Sequence, residues 1–199
     1  VLSDTERRWG LVSRWLHWGT AALVAVEVAL GFWVATRSGV YGTERGEHVL
    51  ASAAHHTIGF TVLTLVVLRI NWRLNQPRPP RPDLGPVRNG LAIAVQAGLY
   101  LLMFAFPLSG WAALTTAPGD VPLYLFGWEV PPIVDEPPDS PAPHAWFAWM
   151  HRTCWAAGAV VLGGHLVGSL WCQFVDGDAV VSRLWHGGPV AGSPPETEV

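Results

Sequence analysis

The sequence predicts an all-α transmembrane four-helix bundle with both termini cytoplasmic, and three observations carry that prediction. Half of the 199 residues are apolar and only 14% carry a formal charge, against about a quarter in an ordinary soluble domain. The apolar residues gather in four stretches, at about 15–36, 49–73, 90–114 and 145–175, and each reaches the roughly 20 residues a helix needs to cross about 30 Å of hydrocarbon. There are also twelve Trp, a side chain at home at membrane–water interfaces. Residues 1–186 form one domain, and the Gly/Pro/Ser-rich stretch 187–199 reads as a disordered tail.

In chain order, the first span follows Arg7, Arg8 and Arg14 and so resembles the start of a signal peptide. It is too long for the apolar core of one and reads as a retained span. None of the four stretches shows the polar face that a soluble helix carries at 3.6-residue spacing. In lipid the backbone must satisfy its own hydrogen bonds, which makes each of them a helix. The link QPRPPRPDLGP at 76–86 cannot be helical and reads as a stiff polar connection. The connection at 116–143 is the longest and is rich in Pro and acids. With the N-terminus inside, nine Arg lie on the inner side and three (Arg37, Arg45 and Arg152) on the outer side, as the positive-inside rule requires. There is no Lys, and the net charge of −3 offers no basic field for a nucleic acid.

Polar residues inside spans are costly and usually functional, and here most of them are His. His17 lies near the inner end of the first span, and His55 and His56 near the outer end of the second. His151 is outer and His165 inner on the fourth. The last two are fourteen residues apart, roughly 21 Å along a helix and nearly on one face. One helix thus offers two imidazoles at two depths, with His17 as partner for His165, and His55 or His56 as partner for His151. Two axial imidazoles at each of two levels suit haem iron in a bundle core. Zinc would want four ligands at one level, and no Cys-x-x-Cys-His is present for covalent haem attachment. Cys154 and Cys172 are too far apart on one helix to bridge and read as packing residues. Gly31, at the depth of the outer site, and Gly59, one turn after His55, leave room for a flat cofactor, although small residues also serve plain helix packing. Arg69 reads either as a partner for a haem propionate or as a snorkelling side chain. Glu27, an acid inside the first span, is expected to be protonated or paired.

These residues resemble the bacterial cytochrome b561 family, the di-haem four-span cytochromes that include superoxide oxidase. The likeness runs over roughly residues 13–185, through SRWLHW (13–18), HHTIGFTVLTLVVLRINWRL (55–74), LYLLMFAFPLSGW (99–111) and MHRTCWAAGAVVLGGHL (150–166). The resemblance implies haem-iron ligands at His17 and His165 for the inner haem and at His55 and His151 for the outer one. The family's spacing of His four residues before Gly selects His55 over His56. It further implies two haems b, a multi-pass protein of the bacterial inner membrane, and electron transfer between the outer face and the quinone pool, with ubiquinone as electron partner. In the superoxide branch, superoxide is the donor at the outer face. The sequence departs from the family at Gln96, Cys172 and Gln173, where His is common, which bears on any quinone site.

The outer side also carries Glu44, Glu47, Asp120, Glu129, Asp135, Glu136 and Asp139. Such a surface repels an anionic donor and favours a neutral or cationic redox protein. Two rival functions fit the same spans. The chain could be the membrane-anchor cytochrome b subunit of a larger dehydrogenase or hydrogenase-type complex, docking through 116–143. It could also be a four-span transporter using His and Glu27 as proton carriers, which would be colourless.

Overall fold

In the computed structural model, which describes residues 1–37, 45–117, 123–134 and 141–189, each apolar stretch is a single helix. They are α1 (Leu11–Arg37), α2 (Arg45–Leu74), α3 (Pro86–Thr115) and α4 (Pro141–Phe174). All four are long and apolar enough to cross a membrane. Each begins four residues before its predicted span, because a first turn in the headgroup region tolerates polar side chains that the hydrocarbon does not. α3 and α4 open on Pro, whose missing N–H costs nothing at a first helical position. Pro107 lies inside α3, as membrane helices allow.

Large apolar side chains point outward along all four helices. Phe32, Leu68, Leu101 and Val160, one on each, are all more than half exposed. Among the described residues the buried apolar set is small: Val62, Val66, Ala112, Leu123 and Cys172. A water-soluble protein would not expose such a continuous apolar surface; hydrocarbon is its natural solvent.

The chain divides into two compact units, and each long helix contributes a part to both. The first comprises Val1–Gly19, Val67–Leu99 and Val160–Val199. Its N-terminal segment folds back on α1. Buried Asp4 accepts hydrogen bonds from Gly10 N–H at 2.6 Å and from the Ser13 hydroxyl at 2.5 Å. Ser13 in turn accepts the Trp72 indole N–H at 3.0 Å. This unit also holds α5 (Val180–His186), a short helix that the span pattern does not predict. The Gln173 side chain builds its start, with Oε1 accepting Val181 N–H at 3.0 Å and Ser182 N–H at 3.1 Å. Arg14 grips its end, donating to the carbonyls of Leu184, at 3.2 Å, and Trp185. Gly187 closes α5 in the left-handed conformation, φ 75°. A Cβ there would also come within 2.7 Å of the Arg14 guanidinium, so the site needs glycine on both counts. Arg88 pairs with Asp176.

The second unit comprises Thr20–Val66 and Tyr100–Ala159. Part of the long connection in it forms a hairpin, β1 (Leu123–Leu125) antiparallel to β2 (Trp128–Val130), with Leu123 opposite Val130. Phe126 and Gly127 form the two-residue loop, both with positive φ, 51° and 86°, as the right-handed twist of a hairpin demands. The loop is tied to α3, since the Trp111 indole N–H donates to the Pro131 carbonyl at 3.2 Å. His144 is half-buried, and its Nδ1 bonds the Ala113 carbonyl at 2.9 Å. The expected disordered tail lies outside the described residues from 190 onward. So do five of the acids counted on the outer side (Glu44, Asp120, Asp135, Glu136 and Asp139), together with the side chains of Glu47, His48, Arg37 and Arg45.

Candidate functional site: two histidine pairs

Each unit brings together one pair of histidines, and the pairs are those expected from depth. In the first unit, His17 on α1 and His165 on α4 have ring centres 6.3 Å apart. In the second, His55 on α2 and His151 on α4 also have ring centres 6.3 Å apart. His56 stands beside His55, 6.0 Å from ring centre to ring centre.

The spacing suits a metal between the rings. Two metal–imidazole bonds of about 2 Å, each followed by about 1 Å from nitrogen to ring centre, span about 6 Å. The supporting contacts decide which ring nitrogen is available. His151 Nδ1–H donates to the Phe106 carbonyl at 3.1 Å and lies 3.2 Å from Ser109 Oγ. Its proton is therefore on Nδ1, and Nε2 keeps the lone pair a metal needs. His55 Nδ1 lies 2.5 Å from Glu27 Oε2, in contact but without the alignment of a full hydrogen bond. An acceptor there favours the same tautomer. The other carboxyl oxygen of Glu27, Oε1, is buried and has no hydrogen-bond partner among the described residues.

His17 is held differently. Arg69 donates to its Nδ1 at 2.8 Å. A guanidinium can only donate, so the proton of a neutral His17 sits on Nε2. Ligation through Nε2 thus requires Arg69 to release the ring. Trp18 packs edge-on to His17, with ring centres 5.1 Å apart, and anchors itself by donating its indole N–H to the Leu184 carbonyl at 3.3 Å.

Glycines back both rings of the second pair. A Cβ at Gly31 would meet His55 Cε1 at 3.3 Å, and one at Gly110 would meet His151 Cε1 at 3.1 Å. Gly110 is absent from the sequence-based set, although it stands in the quoted LYLLMFAFPLSGW motif and that signal could have found it. Gly59 would meet nothing within 4 Å, so no protein atom accounts for its lack of a side chain. Cys172 and Gln173 both take part in the local structure around the end of α4. The Cys172 carbonyl accepts Asp178 N–H at 2.9 Å, and Gln173 caps α5.

Four long membrane-capable helices carrying two closely spaced imidazole pairs define a class of protein, multi-pass membrane proteins with paired histidines suited to a metal or haem. The comparison with known proteins narrows this. The profile of the family described as prokaryotic cytochrome b561 matches residues 8–187. Cytochrome b561 homolog 2 of Escherichia coli (strain K12) is 33% identical over 189 residues, which is 92% of this chain and 93% of that protein. The chain belongs to the prokaryotic cytochrome b561 family. It is accordingly a multi-pass membrane protein of a family that binds b-type haem and transfers electrons across the membrane.

Proposed function

We propose that this chain carries electrons across the bacterial inner membrane between an outer-face partner and quinone, and that it holds two haems b. His17 and His165 ligate the haem nearer the cytoplasm, and His55 and His151 ligate the outer one, with both termini inside. The observation that carries this reading is the same 6.3 Å ring spacing in both units. Bound haem supplies one-electron chemistry at iron. The protein's own part would be to hold each iron between two imidazoles, to orient His55 and His151 through their Nδ1 sides, and to keep water away. In the first unit, ligation through His17 Nε2 would need Arg69 to leave Nδ1, and a haem carboxylate would be a fitting partner for the freed guanidinium. A reduced-minus-oxidised spectrum with pyridine haemochrome quantitation tests the reading, and two haems per chain are expected. One haem, or none, overturns it.

Superoxide is the less favoured donor, because the acids of the outer connections repel an anion. Arg152, exposed beside His151, is the local exception. Stopped-flow mixing of the oxidised protein with superoxide checks this, and slow haem reduction is expected. A second reading, docking as the anchor subunit of a larger complex, draws support from the hairpin. Phe126 and Trp128 are 80% and 82% exposed at its tip, more than an isolated loop needs to show. Co-purification of a large soluble subunit, lost in Phe126→Ser/Trp128→Ser, would favour it.

A further inference from the structure

Glu27 and Gly31 are one helical turn apart on α1 and so share a face. Both touch the same edge of His55. Glu27 Oε2 lies 2.5 Å from Nδ1, and the space a Gly31 Cβ would occupy ends 3.3 Å from Cε1 and 3.8 Å from Nδ1. α1 therefore holds the Nδ1–Cε1 edge of the imidazole, and neither contact involves Nε2. The adjacent His56 ring has no such grip among the contacts of these two residues, so α1 distinguishes between two consecutive histidines. The pairing is also one-sided within the molecule. His17, the corresponding ring of the other pair, faces a donor, Arg69, where His55 faces an acceptor.

We propose that Glu27 is a positioning residue that selects His55 over His56 as iron ligand and sets the haem of the His55–His151 pair to the lower of the two reduction potentials. This inference rests on the bis-histidine reading given above. A carboxyl oxygen in contact with the Nδ1 side makes an imidazole a stronger electron donor through Nε2, and a stronger donor favours oxidised iron. Nothing comparable acts on His17, since Arg69 can only donate and has to leave Nδ1 before Nε2 can ligate. A lower potential at the His55–His151 site would favour passage of an electron from there to the His17–His165 site, and Glu27 is the side chain that would set that difference.

Spectroelectrochemical titration of the purified holoprotein in detergent tests this. Wild-type protein is expected to show two midpoints. Glu27→Gln, nearly isosteric, keeps two haems per chain, raises the lower midpoint and leaves the upper one in place. An unmoved lower midpoint with both haems retained overturns the proposal while leaving the di-haem reading intact. Should Glu27→Gln empty the site, Glu27→Asp decides. A retained haem with a shifted lower midpoint supports the proposal. A retained haem at the wild-type midpoint, or loss equal to that of the Gln variant, overturns it. His56→Ala is expected to change neither haem count nor midpoints, and loss of a haem there overturns the selection of His55. A wild-type protein without haem would instead sink the reading on which this one rests.

Discussion

The two histidine pairs share a spacing and differ in polarity. Helix placement alone brings each pair of ring centres to 6.3 Å. What surrounds the rings is not repeated. In the second unit, acceptors sit at both Nδ1 atoms, the Phe106 carbonyl for His151 and Glu27 for His55. In the first unit, a guanidinium sits at the Nδ1 of His17. Backbone geometry sets where a ligand can stand, and the next shell of side chains sets what kind of ligand it is.

Removing a ligand is the harshest way to break the comparison. His151→Ala and His165→Ala should each halve the haem content by pyridine haemochrome, and the double variant should be colourless. A full complement of pigment in that double variant would end the bis-histidine account. Glycine substitutions separate the units more finely. Gly110→Ala puts a Cβ 3.1 Å from His151 Cε1 and 3.2 Å from Nδ1. It should weaken haem retention at the His55–His151 site about tenfold or more, as disturbed ligand support commonly does, and spare the other site. Gly59→Ala meets no protein atom within 4 Å and should leave helix packing intact. Any change in its haem spectrum would then report the cofactor itself.

Smaller effects are expected where no ring is involved. Gln173→Ala removes both cap bonds at the start of α5 and should cost about 0.5–2 kcal/mol locally. Faster amide exchange confined to residues around 180–186 would show it, with the His55–His151 spectrum unmoved. The Arg88–Asp176 pair should matter least. Its hydrogen bond and charge hold the Asp176 carboxyl below the usual carboxylate range. A lowered folded pKa stabilises above the unfolded value, and that contribution is lost as pH falls through the folded one. Melting of Asp176→Asn should therefore differ slightly from wild type at neutral pH and converge with it on acidification. A difference that grew at low pH would refute the pairing.

The four long helices were legible because membrane spans announce themselves by length and continuity, and helix periodicity placed the histidines at matching depths. The α5 helix and the β1–β2 hairpin were not, for different physical reasons. α5 depends on Gln173 and Arg14, whose partners lie eight to about 170 residues away in sequence. The hairpin turns on Phe126 at φ 51°, a residue type that does not advertise a positive φ. Glu27 was legible as an anomaly, yet its contact with His55 spans two helices and no spacing rule gives it. Gly110 stands in a motif that could have drawn attention to it, but a glycine in a membrane helix is ordinary. Only the ring beside it makes it special.

Arg14 clasps carbonyls at Leu184 and Trp185, so α1 is completed by residues about 170 positions further along the chain. At about 5–20 residues per second, a ribosome needs roughly 10–30 s to travel between them. Early in that interval α2 is available to α1, through Trp72 at Ser13. The Arg14 guanidinium must still wait at the headgroups until α5 emerges to latch it.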